Sequence, residues 1–458
     1  MTIENIAAAC EGTFVGDRNL VTKEIAGAVT DSRQIQKDYL FIPIKGARVD
    51  GHDFIPQVFE KGALVVLSDH ALPEETGPYI LVSSTTEAMK KIAAFYRTQL
   101  SCKVVGITGS VGKTSTKEMI ASVLEQRYKV LKTEGNFNNE IGLPLTIFKI
   151  RAKHEVAVLE MGISDFGEMH RLAAMARPDI GVITNIGLCH LENLGTRDGI
   201  LQAKTEMFDH LQVDGTVILN GDDDKLSTKK EVNGKPVIFY GVGADSAFDI
   251  KKDIYATDIE NHGLEGMCAK IHTPQGDFDA KIPIPGEHNV YNALAGTAVG
   301  LQLGLSIREI AQGIASVQTI AGRTNLLHAK GMTVIDDCYN ANPVSMKASI
   351  DVLAHTSGRR IAVLGDMGEL GAEEKELHRS IGKAVAASGI DALFCAGTLA
   401  EEYAREAKAN PECEVHYKKT REEMTEELLA YVKEGDTVLV KASHFMEFPK
   451  VVEALTKE

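Results

Sequence analysis

No stretch of this chain approaches the ~20 consecutive apolar residues needed to span a bilayer, so membrane insertion is not expected. The start, MTIENIAAACEGTF, has neither a basic segment nor a continuous apolar one, so no signal peptide is expected. Cysteine is sparse. Seven residues, an odd number, are scattered at Cys10, Cys102, Cys189, Cys268, Cys338, Cys395 and Cys413. They form neither C-x-x-C pairs nor a disulfide framework, which suits a reducing cytoplasm. Positive charge is in deficit: the net charge of −15 argues against a general nucleic-acid binder. Anionic ligands would be held only where lysines, arginines and helix ends collect locally. There is no repeat period and no low-complexity tract. What remains is a chain of 458 residues, 44% hydrophobic, too long for one core and expected to form several domains.

The most informative stretch is GITGSVGKTST, residues 106–116. Val104, Val105 and Ile107 read as the end of a core strand, and KTSTKEMIASVLEQ has apolar residues at helical spacing. The corner between them offers free backbone N–H groups and a positive helix end to an anion. Gly109 and Gly112 let the backbone approach a phosphate, Lys113 can reach its outer oxygens, and Thr114 supplies a hydroxyl for magnesium. The spacing departs from the general phosphate-loop pattern in one place, because Ile107 stands where the first glycine is usual and the glycine is Gly106. The loop points to a nucleoside triphosphate without saying what the energy is used for.

Around it the chain reads as three units. Residues 1–100 form a small α/β segment closed by the helix pattern TTEAMKKIAAFYRTQL. Residues 101–320 alternate strands and helices (VVGIT, HEVAVLEMG, IGVITNIG, GTVILNGD), which implies a mostly parallel sheet covered on both faces. A β-rich excursion and the helix pattern NVYNALAGTAVGLQLG complete that unit. Residues 321–458 restart the alternation (MTVIDDCY, RRIAVLGDM, ALFCAG, CEVHY, TVLVKAS) as a second doubly wound, Rossmann-like unit.

Several other residues carry chemistry. Glu160 ends a strand of the central unit, at the end of the sheet where ligands collect. It is either a magnesium ligand or an unliganded carboxylate. His190 follows the next strand, as a structural histidine or a ligand. Lys204 lies on a helix downstream. A bare ammonium would be repelled by magnesium, whereas a carbamate formed with CO₂ would bind it; a solvated lysine is the alternative. Asn289 reads as a helix cap or a ligand contact, and Asn292 has donors and acceptors suited to an adenine edge. Arg323 offers a forked donor where the third unit begins, and Asp336 and Asp337 end a strand. For each of these a surface ion pair or turn role is the alternative.

Taken together and in order, TGSVGKT, EMG, His190 with AKTE, GEHNVYNALAG, GRTN and DDCYNANPVSM resemble the Mur ligase family of ATP-dependent amide-forming enzymes. NFNNEIGLPLT, LGDMGELG and the amino-terminal DSR and FIPIKGARVDGHDFI are similar to the branch that joins D-alanyl-D-alanine to UDP-N-acetylmuramoyl-tripeptide. No G-x-G-x-x-G opens the chain and no D-N-P-R-like motif lies late in it, as other branches would have. The resemblance implies that Gly109, Ser110, Val111, Gly112, Lys113, Thr114 and Ser115 hold ATP phosphates. It implies one magnesium on Thr114 and Glu160, and a second on His190 and carbamylated Lys204. Asn289 and Asn292 would lie near adenine, Arg323 near the γ-phosphate and Asp337 near the ribose. Ser32, Arg33, Lys45 and Gly46 would meet the uridine nucleotide, and the third unit the incoming dipeptide. Lys113, His190, Lys204 and Arg323 would carry the chemistry, in a cytoplasmic monomer. One departure is KASHFMEF, where relatives often show K-G-S-R: Ala442 and His444 replace a glycine and an arginine. Folylpolyglutamate synthase shares the ATP core but not the amino-terminal unit. A phosphate-loop switch would leave Lys204, Arg323 and the third unit without a purpose.

Overall fold

The strand Lys103–Thr108 is the centre of the molecule, and its alternating side chains explain why. Val104 packs into one apolar cluster and Val105 and Ile107 into another. The neighbouring strand Val156–Glu160 divides in the same way, with Ala157 and Leu159 on one face and Val156 and Val158 on the other. A strand buried on both faces belongs inside a parallel sheet covered by helices. The computed structural model, which describes residues 1–457, has that arrangement.

Nine strands form the central sheet. Lys103–Thr108 lies between Val156–Glu160 and Ile180–Ile183, parallel to both. The chain thus leaves the first strand toward one edge and returns to its other side, creating the switch point at which ligands of such sheets bind. The β-rich excursion is not a separate body: Ile238–Val242 and Ile254–Asn261 extend the parallel run, and an antiparallel hairpin, Met267–Thr273 with Gly276–Ile282, finishes that edge. At the opposite edge lies Val130–Lys132, a three-residue strand.

The amino-terminal unit has a five-stranded sheet, parallel except for its edge strand Thr13–Val15. Its helix Thr85–Thr98 is capped by Ser84 and buries Met89 and Ile92 in a core continuous with that of the central sheet. The carboxy-terminal unit has six strands, parallel except for the hairpin Asn325–Ala329 with Met332–Asp336.

Candidate active site

Register puts the first acidic group beside the loop. Ile107 pairs with Glu160, so this carboxylate sits at the same sheet end as residues 109–113. The loop is shaped by two glycines for different reasons. At Gly109 (φ +151°) a Cβ would lie 2.0 Å from Thr184 Oγ1, so a side chain is excluded by crowding. At Gly112 (φ +83°) a Cβ would meet nothing closer than 3.9 Å, and there the left-handed backbone at the start of helix Lys113–Leu124 is the requirement. The next strand end braces the loop. Val111 N–H donates to Asn185 Oδ1 at 2.9 Å, and Val111 carbonyl accepts from Thr184 Oγ1 and Asn185 Nδ2 at 2.7 and 2.9 Å. Lys113 Nζ donates back to the Gly109 carbonyl at 2.9 Å, curled over the loop.

Glu160 is 2% exposed, and only one of its oxygens is satisfied: Oε1 accepts from Asn138 Nδ2 at 2.8 Å, while Oε2 has no hydrogen-bond partner. Burying a carboxylate oxygen without a donor is costly unless a cation completes it. Among the described residues the one ammonium within 4.0 Å of it, that of Lys117, is committed to the Thr133 carbonyl at 2.6 Å and Glu118 at 3.0 Å. Glu160, Asn138, Thr114, Lys113, His190 and Arg323 line one cavity of about 290 Å³.

Lys204, on helix Arg197–Thr205, is 1% exposed and has no carboxylate partner among the described residues. Burial, reinforced by the charge of Lys113, lowers its ammonium to about 8. His190 stands in the left-handed region (φ +51°) and pairs through Nδ1 with Glu369 Oε2 at 2.9 Å, a residue of the carboxy-terminal unit. Burial pushes its imidazole down; Glu369 opposes that fall, and the charges of Lys204 and Lys113 add to it.

Arg323 reaches the same cavity from the other unit. Its guanidinium lies 4.2 Å from the centre of the Tyr339 ring, Nη2 donates to Thr114 Oγ1 at 3.5 Å, and Nε is buried without a partner. Asp337 is not free. Burial raises its carboxyl, but Lys441 Nζ at 2.6 Å and Ser349 Oγ at 2.5 Å outweigh burial and hold it below the usual range. It lines a second cavity of about 180 Å³ with Gly112, Ser115, Asn292 and Arg323.

Three family descriptions match along the chain: Mur ligase family, catalytic domain, over residues 24–97; Mur ligase middle domain over 107–300; and Mur ligase, glutamate ligase domain, over 322–444. The UDP-N-acetylmuramoyl-tripeptide–D-alanyl-D-alanine ligase of Bacillus subtilis is 39% identical, over 99% of this chain and 98% of its own. Among solved structures, MurF from Acinetobacter baumannii has a TM-score of 0.90 at 31% identity, covering 100% of this chain and 99% of its own. The MurF ligase from Thermotoga maritima in complex with ADP has a TM-score of 0.80 at 31% identity, covering 94% and 96%.

The chain belongs to the Mur ligase family.

Within this Mur ligase the two asparagines of helix His288–Gln302 divide their work. Asn292 lines the second cavity, accepting from Thr116 Oγ1 at 2.7 Å and donating to Asn289 Oδ1 at 2.8 Å. Asn289 is the second residue of the helix rather than its cap, and its amide donates to the Pro285 carbonyl at 2.8 Å, behind the cavity wall. A third cavity of about 330 Å³ lies between the units, where Lys113 and His190 face Glu369, Ser443, His444 and Phe445. The KASHFM segment therefore borders the site, with Ser443 Oγ accepting from Gly368 N–H at 2.9 Å.

The amino-terminal candidates are less gathered. A cavity of about 370 Å³ between this unit and the central one is lined by Thr30, Asp31, Gln34, Phe137 and Lys149. Ser32, Arg33, Lys45 and Gly46 line neither this cavity nor the three above. Arg33 is exposed and clamps Asp31 at 2.7 Å, while Ser32 offers its carbonyl to Lys61 Nζ at 3.0 Å. Sequence reasoning passed over Asn138, Thr184, Asn185, Glu369 and Lys441. The runs NFNNE and LGDMGELG held the signal for Asn138 and Glu369.

Proposed function

We propose that this Mur ligase joins D-alanyl-D-alanine to UDP-N-acetylmuramoyl-tripeptide at the expense of ATP, a cytoplasmic step of peptidoglycan precursor synthesis. The observation that carries the reading is the single cleft in which Lys113, Glu160 and His190 of the central unit face Arg323 of the carboxy-terminal one. The named relatives supply the substrates. No helix of the described residues is long and apolar enough to cross a membrane, and all seven cysteines are free.

In this reading residues 1–100 bind the uridine nucleotide, 101–320 bind ATP, and 321–458 bind the dipeptide. Asn292 meets the adenine edge, with Asn289 fixing its orientation, and Asp337 meets the ribose. An oxygen of the tripeptide's terminal carboxylate attacks the γ-phosphorus; the P–O bond to ADP breaks and an acyl phosphate forms. The dipeptide amine then attacks the acyl carbon, phosphate departs with its bonding pair, and the amine loses its proton. The first step brings an anion onto a polyanion, so charge must be neutralised in place. Lys113 would turn from the Gly109 carbonyl to the phosphates, and Arg323 would bring its unpaired Nε–H to the γ-phosphate.

The donor set fits magnesium. Glu160 Oε2 is an orphaned buried acceptor close to the Thr114 hydroxyl's loop, and these two residues would hold one ion. His190 and Lys204 would hold a second once Lys204 is carbamylated; a buried amine lowered to about 8 has more of the neutral form that captures CO₂. Bound magnesium would supply Lewis-acid neutralisation of phosphate charge. Closure of the third unit, through Arg323 and the His190–Glu369 pair, would exclude the water that hydrolyses an acyl phosphate.

Mass spectrometry of the product formed from ATP, UDP-N-acetylmuramoyl-tripeptide and D-alanyl-D-alanine tests the reading. A pentapeptide product is expected from the wild type and none from Lys113→Ala with an unchanged melting curve. ATP hydrolysis without ligation would return the chain to the switch alternative.

A further inference from the structure

The amino-terminal unit holds a group of side chains that the ligation chemistry does not use. His52 lies in the turn Gly51–Phe54, and Asp69 and His70 follow the strand Val65–Ser68. One ligand atom from each lies within 4.8 Å of the other two. The His52 side chain is 7% exposed. Its Nδ1 is 2.7 Å from Asp50 Oδ1. A carboxylate only accepts, so Nδ1 carries the proton and, in the neutral ring, Nε2 presents its lone pair. That lone pair faces another carboxylate: Nε2 is 3.4 Å from Asp69 Oδ1, and it is buried without a hydrogen-bond partner. A lone pair turned toward an anion inside a protein is unfavourable unless a positive charge lies between them.

We propose that His52, Asp69 and His70 bind one divalent transition-metal ion, zinc being the reference case. Zinc bonds of about 2.0–2.2 Å in tetrahedral array put neighbouring ligand atoms about 3.3–3.5 Å apart. The His52–Asp69 separation matches that spacing and is too long for a good hydrogen bond. Asp50 is the carboxylate that orients a metal-binding imidazole through its other nitrogen. His70, 56% exposed, now donates from Nδ1 to Asp69 Oδ1 at 2.7 Å and turns its ring to become the third ligand. Water fills the fourth position, and the exposure of Asp69 and His70 provides the entry path. Two imidazoles and one carboxylate suit zinc, cobalt or nickel rather than magnesium or calcium, which prefer all-oxygen sets. The ion would pin the Gly51–Phe54 turn to the strand end. Asp50 pairs across the backbone with Lys45, so the segment 45–50 would be stiffened with it.

The test uses the full chain, stripped with a chelator and titrated with zinc chloride by calorimetry in excess magnesium. One zinc per chain is expected in the wild type and in Lys204→Ala, with affinity at least tenfold weaker in Asp69→Asn and His70→Ala. Cobalt should give tetrahedral visible bands in the wild type that His70→Ala abolishes. His70 is exposed, so its replacement leaves the fold intact, and equal circular dichroism melts of the metal-free proteins check this. No zinc bound by the wild type, or equal stoichiometry and affinity in all four proteins, overturns the proposal. Loss of zinc in Lys204→Ala with retention in His70→Ala also overturns it, by moving the ion to the catalytic cleft.

Discussion

Arg323 Nη2 meets Thr114 Oγ1 at 3.5 Å, joining the first residue run of the carboxy-terminal unit to the first turn of the phosphate-loop helix. The contact holds a permanent positive charge beside the phosphate loop, where on the proposed reading it would meet the γ-phosphate. It also makes the active cleft a property of two units held together, since neither contains both residues.

Arg323→Ala should therefore lower kcat about 10²–10³-fold, the usual loss for one electrostatic group of a transition state, with a smaller change in the KM for ATP. Arg323→Lys should not restore it. The guanidinium carbon lies over the Tyr339 ring, 4.2 Å from its centre, and an ammonium cannot both sit there and present a fork. Steady-state kinetics of the two variants decides the matter; a lysine variant near wild-type rate would reduce Arg323 to a point charge.

The Asp337–Lys441 pair gives a stability prediction with a defined pH sign. Both side chains are nearly buried, so Lys441→Met leaves an unpaired buried carboxylate and should cost about 3–5 kcal/mol at neutral pH. Asp337 is held below its ordinary range in the fold, so its contribution is present above the unfolded pKa and disappears as pH falls through the folded one. The deficit of Lys441→Met should thus shrink on acidification, as its own unpaired carboxyl protonates first. Urea melts from neutral to acid pH measure this; a deficit that grows toward acid contradicts the assignment.

His444 tests the border of the third cavity. It faces Lys113, His190 and Glu369 across about 330 Å³. His444→Ala should raise the KM for D-alanyl-D-alanine several-fold and leave that for ATP unchanged, because the second cavity does not include it. Equal changes in both constants would mean that the segment acts on closure rather than on the dipeptide.

The part of this site that was legible in sequence is the part built from local pattern. A strand running into glycines, a lysine and a helix announces the loop within a dozen residues, and Glu160 could be placed because an apolar strand ends on it. The remaining groups are positioned by pairings distant in sequence. Lys441 reaches Asp337 from a strand 104 residues on, and Asn138 reaches Glu160 across 22. Glu369 meets His190 only where the central and carboxy-terminal units come together. The edge strand Val130–Lys132 is three residues long, too short to show a period. The contact of Arg33 with substrate rests on the resemblance of its motif alone; its side chain is exposed and paired with Asp31.

Lys204 carries the last prediction. Its amine is buried, lacks a carboxylate partner among the described residues and lies close enough to Lys113 and His190 for their charges to interact. As an ammonium it would repel magnesium; as a carbamate it would bind magnesium, and His190 would share the ion. Lys204→Ala should be nearly inactive, and acetate or formate should restore part of the rate by occupying the carbamate's place. Amines should do nothing. The wild type should lose activity in CO₂-depleted buffer and regain it with bicarbonate, and mass spectrometry of the intact protein under CO₂ should reveal the added group. Carbamylation requires the neutral amine, whose fraction falls as pH drops below about 8, so at fixed dissolved CO₂ the added mass should decline with acidification. Near-normal activity of Lys204→Ala would make the residue a structural amine, and rescue by amines instead of carboxylates would make it a catalytic ammonium.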